Sequence, residues 1–376
     1  MNNAVSLLPP EDSDASDLLT VIALTGEFPV TQASRMVSSK HYLEKTITRL
    51  KKNRLIRTYY KDGLRGYRLT AKAKKQLIKE HPSRFKSIFT GDTIINMPKY
   101  SVPDRLRLHR MAEVYVTMTQ SDVVTYPWRK PTLFHDGHIS DEVLFASSIY
   151  YTAAEIKEIG QEAAKIRGSR ATGVLLTQFT DYVVYNTGNT EMMWKYQSEI
   201  RLKTLLGREL KQARLSKGIE SRDLAAIVFA SDMKQMLALM DTLKQSKHQY
   251  FILDGAYPHF FCVTSDKNGE FLLQLLCDAD LRIALDDLLS EDLTQRNPQA
   301  FVENDGFDTN GDPVLFAYTC DMPRIKRFDN ALALQEKAGT LVCFDYQADV
   351  MRRVCGPTVK IQALNTEVLR GGIVDQ

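Results

Sequence analysis

The densest group of chemistry-bearing side chains lies between residues 39 and 68. Ser39, Lys40, His41, Tyr42 and Lys45 stand close together, with Arg49 and Lys52 after them. Lys61, Arg65 and Arg68 then bracket an Asp62-Gly63 pair. Short polar and cationic side chains at the start of a helix suit the hydrogen-bonding edges of bases. Cations a turn or more further on suit phosphates, which fix register without reading sequence.

Other constellations carry weaker chemistry. His135-Asp136-Gly137-His138 holds two imidazoles and a carboxylate but no third ligand pair, so an exposed turn is expected over a metal site. Asp305 to Asp312 has the composition of a calcium loop. Counted from Asp308, the sixth position is Pro313 where an EF-hand needs Gly, so an Asx/Gly turn is expected. Asp181 opens a strand after a helix with Glu155 and Glu158, an echo of metal-dependent nucleases. Those enzymes need Glu-x-Lys on the next strand, and Glu209-Leu210-Lys211 has those letters in a helical segment. The chain contains no GxxxxGK[ST], GxGxxG or GxSxG motif, so no cofactor is expected.

The basic side chains need a frame. Leu18, Leu19, Ile22 and Ala23 set a first helix before Phe28-Pro29-Val30, and Thr31 caps a second over Gln32–Val37. A third helix runs from about Lys40 to Asn53 on Leu43, Ile47 and Leu50. Leu55–Tyr60 and Leu64–Thr70 flank Asp62-Gly63 and read as a β-hairpin, with Tyr59 and Tyr60 as candidates for packing. A fourth helix follows to Glu80, with Lys72, Lys74 and Lys75 extending the positive surface.

Charge is segregated along the chain. The formal +3 over 376 residues conceals −5 in residues 1–34, +16 in residues 35–110 and −8 in the remainder. A +16 block in an acidic chain implies a polyanion partner; the alternative is a solvated basic face. No apolar run is long enough for a membrane span, and the acidic start is unlike a signal or transit peptide, so a cytoplasmic protein is expected. Cys262, Cys277, Cys320, Cys343 and Cys355 lack CxxC spacing, sit in apolar runs and read as reduced thiols.

Four segments follow. Residues 1–13 are an acidic flexible leader, 14–82 the basic helical unit, 83–142 a basic connector with a helix over Pro103–Met118, and 143–376 a mixed α/β domain. In that domain, strands are expected at Ile149–Tyr151, Gly173–Thr177, Tyr182–Asn186, Ala225–Ala230, Tyr250–Leu253, His259–Val263, Val314–Tyr318, Leu341–Phe344 and Val359–Ala363. Helices are expected at Ala153–Ile166, Glu191–Ala213, Ser231–Lys247, Ala279–Leu289, Ala331–Ala338 and Tyr346–Val354. The fold class is α+β.

The run from Leu50 through Leu55-Ile56 to Tyr67-Arg68-Leu69-Thr70 resembles the winged helix-turn-helix of multiple-antibiotic-resistance-class regulators, over about residues 14–82. The whole-chain plan resembles the replication-relaxation family of plasmids and integrative conjugative elements, of Firmicutes type. Ser169–Leu176, Tyr182–Gly188, Met193–Tyr196 and Glu199–Lys203 carry that likeness. It implies a winged helix before a degenerate restriction-endonuclease-like scaffold. It also implies element DNA as partner, in replication, relaxation or conjugative transfer, without a relaxase's chemistry.

The expected function is non-enzymatic binding of double-stranded DNA through Ser39, Lys40, His41, Tyr42, Lys45, Arg49, Lys52, Lys61, Arg65 and Arg68. The acidic C-terminal domain would meet protein partners, and a homodimer on two half-sites stays open. The alternatives are a transcriptional regulator with a ligand-sensing domain, and a metal-dependent nuclease.

Overall fold

The structure, a computed structural model, describes residues 8–37, 39–90, 95–96, 101–132, 134–135, 138–139, 147–156, 169–178, 180–190, 196–216, 224–241, 256–295 and 300–374. It is a mixed α+β protein with two compact units, Met1–Gln120 with Thr125–Lys130 and Ser121–Val124 with Pro131–Gln376. No helix among the described residues is long and apolar enough to cross a membrane.

In the first unit, Ser13 Oγ accepts from the Ser16 N–H and starts α1 (Asp14–Thr25). Gly26, at φ +76°, ends it. The chain then makes β1 (Phe28–Pro29), a 3-10 helix (Val30–Arg35) and α2 (Lys40–Lys52). The expected helix over Gln32–Val37 is thus a 3-10 helix that starts two residues earlier. A run of this length gains few i→i−4 bonds, and its end is held from outside: Arg35 donates to Gln32 Oε1 and Thr117 Oγ1.

β2 (Ile56–Lys61) and β3 (Leu64–Leu69) form the expected hairpin. Asp62 and Gly63 take φ +52° and +76°, the left-handed pair that a two-residue connection requires. β1 adds to β3, with Phe28 opposite Tyr67 and Pro29 opposite Gly66. α3 (Ala71–Glu80), capped by Thr70, leads to α4 (Pro82–Thr90) and α5 (Val102–Gln120). The expected connector is therefore largely part of this unit. α5 buries Leu108, Ala112, Val114, Tyr115, Val116 and Met118, a core contribution that its basic residues obscure. In the expected leader, Glu11 pairs with His81 and Arg84.

The second unit holds two sheets. Short strands β4 (Phe134–His135) and β5 (His138–Ile139) pair with each other; Asp136, Gly137 and the side chains of His135 and His138 lie outside the described residues. Then come β6 (Ile149–Thr152), α6 (Ala153–Ile156), β7 (Ala171–Leu176), β8 (Asp181–Gly188), α7 (Tyr196–Ser216), β9 (Ala225–Ala230), α8 (Lys234–Met240) and β10 (Phe260–Thr264). The sheet order is β10-β9-β8-β7-β6; β7 runs against its neighbours, and β8, β9 and β10 are parallel. β8 and β9 are buried along their whole length, as strands covered on both faces must be. The expected Tyr250–Leu253 strand lies outside the described residues, and β10 pairs with β9.

α9 (Lys267–Cys277) and α10 (Ala279–Ser290) precede the second sheet, β11 (Gly306–Phe307), β12 (Pro313–Phe316), β13 (Gly339–Phe344) and β14 (Val359–Leu364). β12, β13 and β14 are parallel, with α11 (Met322–Gln335) and α12 (Asp345–Val354) as crossovers; α13 (Thr366–Val374) follows. α9 and α13 are absent from the sequence expectations, and α11 starts nine residues before its expected Ala331. One core joins strands of both sheets, from Ile149 and Val183 to Leu315 and Leu341, with Met351 of α12.

Candidate nucleic-acid interface

α2 is amphipathic. Ile47 and Leu50 are buried with Thr46, while Lys40, His41, Glu44, Lys45, Thr48, Arg49, Lys51 and Lys52 are exposed. At 100° per residue, His41, Lys45, Thr48 and Lys52 centre the outward ridge, with Lys40, Glu44 and Lys51 along one flank and Tyr42 and Arg49 along the other. Ser39 Oγ caps the helix by accepting from the Tyr42 N–H at 3.2 Å. Tyr42, 38% exposed, stands out from the core.

The hairpin places its side chains by alternation. One face carries the pairs Ile56–Leu69, Thr58–Tyr67 and Tyr60–Arg65; the other carries Arg57–Arg68, Tyr59–Gly66 and, at the tip, Lys61–Leu64. The first face adjoins α2, because Lys51 Nζ lies 5.5 Å from the Tyr67 ring centre. Burial raises the Tyr67 phenol above its usual value and the Arg65 charge opposes that rise. At the tip Tyr60 is 70% exposed beside exposed Arg65 and Lys61. The two tyrosines therefore divide. Tyr60 projects outward, and Tyr59 lies under the guanidiniums of Arg68 and Arg105, at 3.8 and 4.7 Å.

Lys40, Lys45, Arg49, Lys52, Arg57, Lys61 and Arg65 make no ion pair among the described residues and are exposed. Arg68 differs from its expected place. Its Nε and Nη2 donate to Glu27 Oε2 at 2.9 and 2.5 Å, and its side chain is largely covered. Other bases of the +16 block are also engaged. Lys72 donates to Asn53 O, Lys74 covers Phe89, and Arg105 is fully buried.

Glu27 is the centre that sequence reading missed. It is fully buried, and the pairing of Phe28 with Tyr67 brings it beside Arg68. Arg105 donates to it from Nε, at 3.1 Å to each oxygen, and from Nη2 at 2.6 Å to Oε1; His109 Nε2 lies 3.0 Å from Oε1. Burial alone would raise this carboxyl, but hydrogen bonds from His109, Arg105 and Arg68 outweigh it and hold the pKa at about 2. Arg105 also reaches the hairpin backbone, Nη1 donating to Lys61 O at 2.6 Å and Nη2 to Leu64 O at 2.9 Å. The available signal was a single acid in the apolar run Ile22 to Val30.

The second unit assembles no metal centre from three or more His, Cys, Asp or Glu side chains among the described residues. Asp181 opens β8, but the next strand reads Ala-Ala-Ile-Val-Phe-Ala, and Glu209-Leu210-Lys211 lies in α7. The Asp308 loop is an Asx turn, with Oδ1 accepting from the Asn310 and Asp312 N–H groups. Glu199 accepts from Ser169 Oγ, the Arg170 N–H and the Tyr185 hydroxyl, and ties the start of β7 to α7. Burial raises its carboxyl, against those bonds. Cys262, Cys320 and Cys343 are buried free thiols; burial pushes Cys262 and Cys343 up to about 12. Cys277 and Cys355 are half-buried and also free.

No protein-family model, curated protein or solved structure matches the chain.

Proposed function

We propose that the first unit binds double-stranded DNA as a winged helix-turn-helix, without catalysing a reaction. α2 enters the major groove with His41, Lys45 and Thr48 toward base edges, and Lys40, Arg49 and Lys52 toward flanking phosphates. The β2–β3 wing lays Tyr60, Lys61 and Arg65 along the neighbouring backbone. The observation that carries this reading is the joining of two unpaired cationic surfaces, α2 and the tip, through the Lys51–Tyr67 contact. Seven exposed cations there have no carboxylate partner among the described residues.

Arg68 and Arg105 are withdrawn from this DNA surface, since both serve Glu27. We read the second unit, a mixed α+β unit whose β8 opens on Asp181, as a nuclease-derived scaffold. A role in replication, relaxation or conjugative transfer of a mobile element follows from the family resemblance, with protein partners met by the acidic second unit.

Fluorescence anisotropy of the purified chain with labelled duplexes, across a salt series, tests the DNA reading. The expected log K falls linearly with log salt, by about 0.9 for each phosphate engaged. A chain that stays folded and shows no duplex binding at low salt overturns it.

A further inference from the structure

Nothing in DNA contact requires an arginine inside the protein, yet Arg105 is fully buried. Its Nε, Nη1 and Nη2 donate to two kinds of acceptor. One is the Glu27 carboxylate; the other is the pair of carbonyls at Lys61 and Leu64, which flank the Asp62-Gly63 turn. A buried guanidinium needs a counter-charge, and Glu27 supplies it; Arg68 and His109 bond the same carboxylate. The backbone carbonyls add no charge balance. What those two bonds do is fix the last residue of β2 and the first of β3 relative to α5.

We propose that Arg105 is a positioning residue for DNA binding. It sets the hairpin tip so that Tyr60, Lys61 and Arg65 meet the DNA backbone while α2 occupies the groove. The inference rests on duplex binding by this unit. Beyond the Pro29–Gly66 pair the sheet narrows to two strands and a two-residue turn, which by themselves have little to hold the tip. A Cβ placed on Gly63 would meet no atom of the described residues within 4 Å, so the turn itself packs against nothing on that side. Arg105 supplies the missing support from beneath, and its planar fork reaches a carboxylate and two carbonyls at once. Lysine keeps the charge beside Glu27 but cannot span all three acceptors.

The test uses the full chain with Arg105→Lys, Arg65→Ala and both together. Thermal unfolding, amide hydrogen exchange and duplex anisotropy across a salt series are measured on each. Arg105→Lys is expected to remain folded, with faster exchange at residues 61–65 and unchanged exchange in α2. Its salt slope should be shallower by up to two phosphates' worth, those of Lys61 and Arg65, against one for Arg65→Ala. The double variant should lose no more than Arg105→Lys alone, because the Arg65 contact is already lost when the tip is released. Arg105→Gln, which keeps two donors and loses the charge, separates the roles: it should unfold at lower temperature than Arg105→Lys. Wild-type binding weakened by Arg65→Ala but untouched by Arg105→Lys, or losses that simply add, overturns the positioning role alone. Absence of wild-type duplex binding overturns both this role and the function it serves.

Discussion

Glu27 lies directly beneath Gly66: a Cβ on Gly66 would stand 2.6 Å from Glu27 Oε1. The carboxylate cannot give way easily, because Arg68, Arg105 and His109 all bond it. Gly66→Ala is therefore expected to destabilise the first unit by about 1–3 kcal/mol, as overpacking of a close contact does. Urea unfolding followed by tyrosine and tryptophan fluorescence reports it. Wild-type stability in Gly66→Ala would show that the Glu27 cluster is looser than its geometry.

The same carboxylate sets an acid limit. Its folded pKa is about 2 against an ordinary 4.5, so its contribution is fully present above about 4.5 and disappears as pH falls toward 2. Two and a half pH units of difference correspond to roughly 3 kcal/mol. In Glu27→Gln this pH-dependent part is absent. The stability gap between wild type and Glu27→Gln should be constant from pH 7 to about 5 and narrow below 4.5. Parallel urea titrations at several pH values measure it, and a gap that stays flat down to pH 3 contradicts the assignment.

The hairpin and α2 were legible in the sequence because their signals are local. Asp62-Gly63 between aromatic and β-branched residues names a turn, and Leu43, Ile47 and Leu50 name a helix face. The Glu27–Arg105 pair was not legible, because its partners stand 78 residues apart and each looks like ordinary surface charge in its own segment. Arg68 was misplaced for the same reason: residue type gave a cation, and only the β1–β3 pairing reveals its carboxylate. α9 escaped notice because Phe271, Leu272, Leu273, Leu275 and Leu276 form an almost continuous apolar run, which hides helical periodicity.

The three cations assigned to phosphates or groove edges on α2 permit a direct count. Lys40→Ala, Lys45→Ala and Arg49→Ala combined remove exposed charges without touching Ile47 or Leu50. The folded triple variant should lose duplex binding at moderate salt. At low salt its slope should be shallower by about 2–3. Unchanged affinity in a variant with native thermal stability would remove α2 from the interface.

Glu44 is the exposed acid on α2, on the flank shared by Lys40 and Lys51, and it makes no ion pair among the described residues. A carboxylate facing phosphates opposes binding, while one facing a cytosine amino group accepts a hydrogen bond from it. Both effects predict the same direction for Glu44→Ala on random-sequence duplex, a gain in affinity as repulsion is removed. They part on selected sequences. If Glu44 meets a base, selection of bound duplexes from a random pool should yield a cytosine preference with wild type that fades at one position with Glu44→Ala. A single good base contact is worth about 1–3 kcal/mol, so the preference at that position should fall by roughly tenfold. An identical consensus from both proteins, with only overall affinity raised, would place Glu44 over the backbone and leave base reading to His41, Lys45 and Thr48.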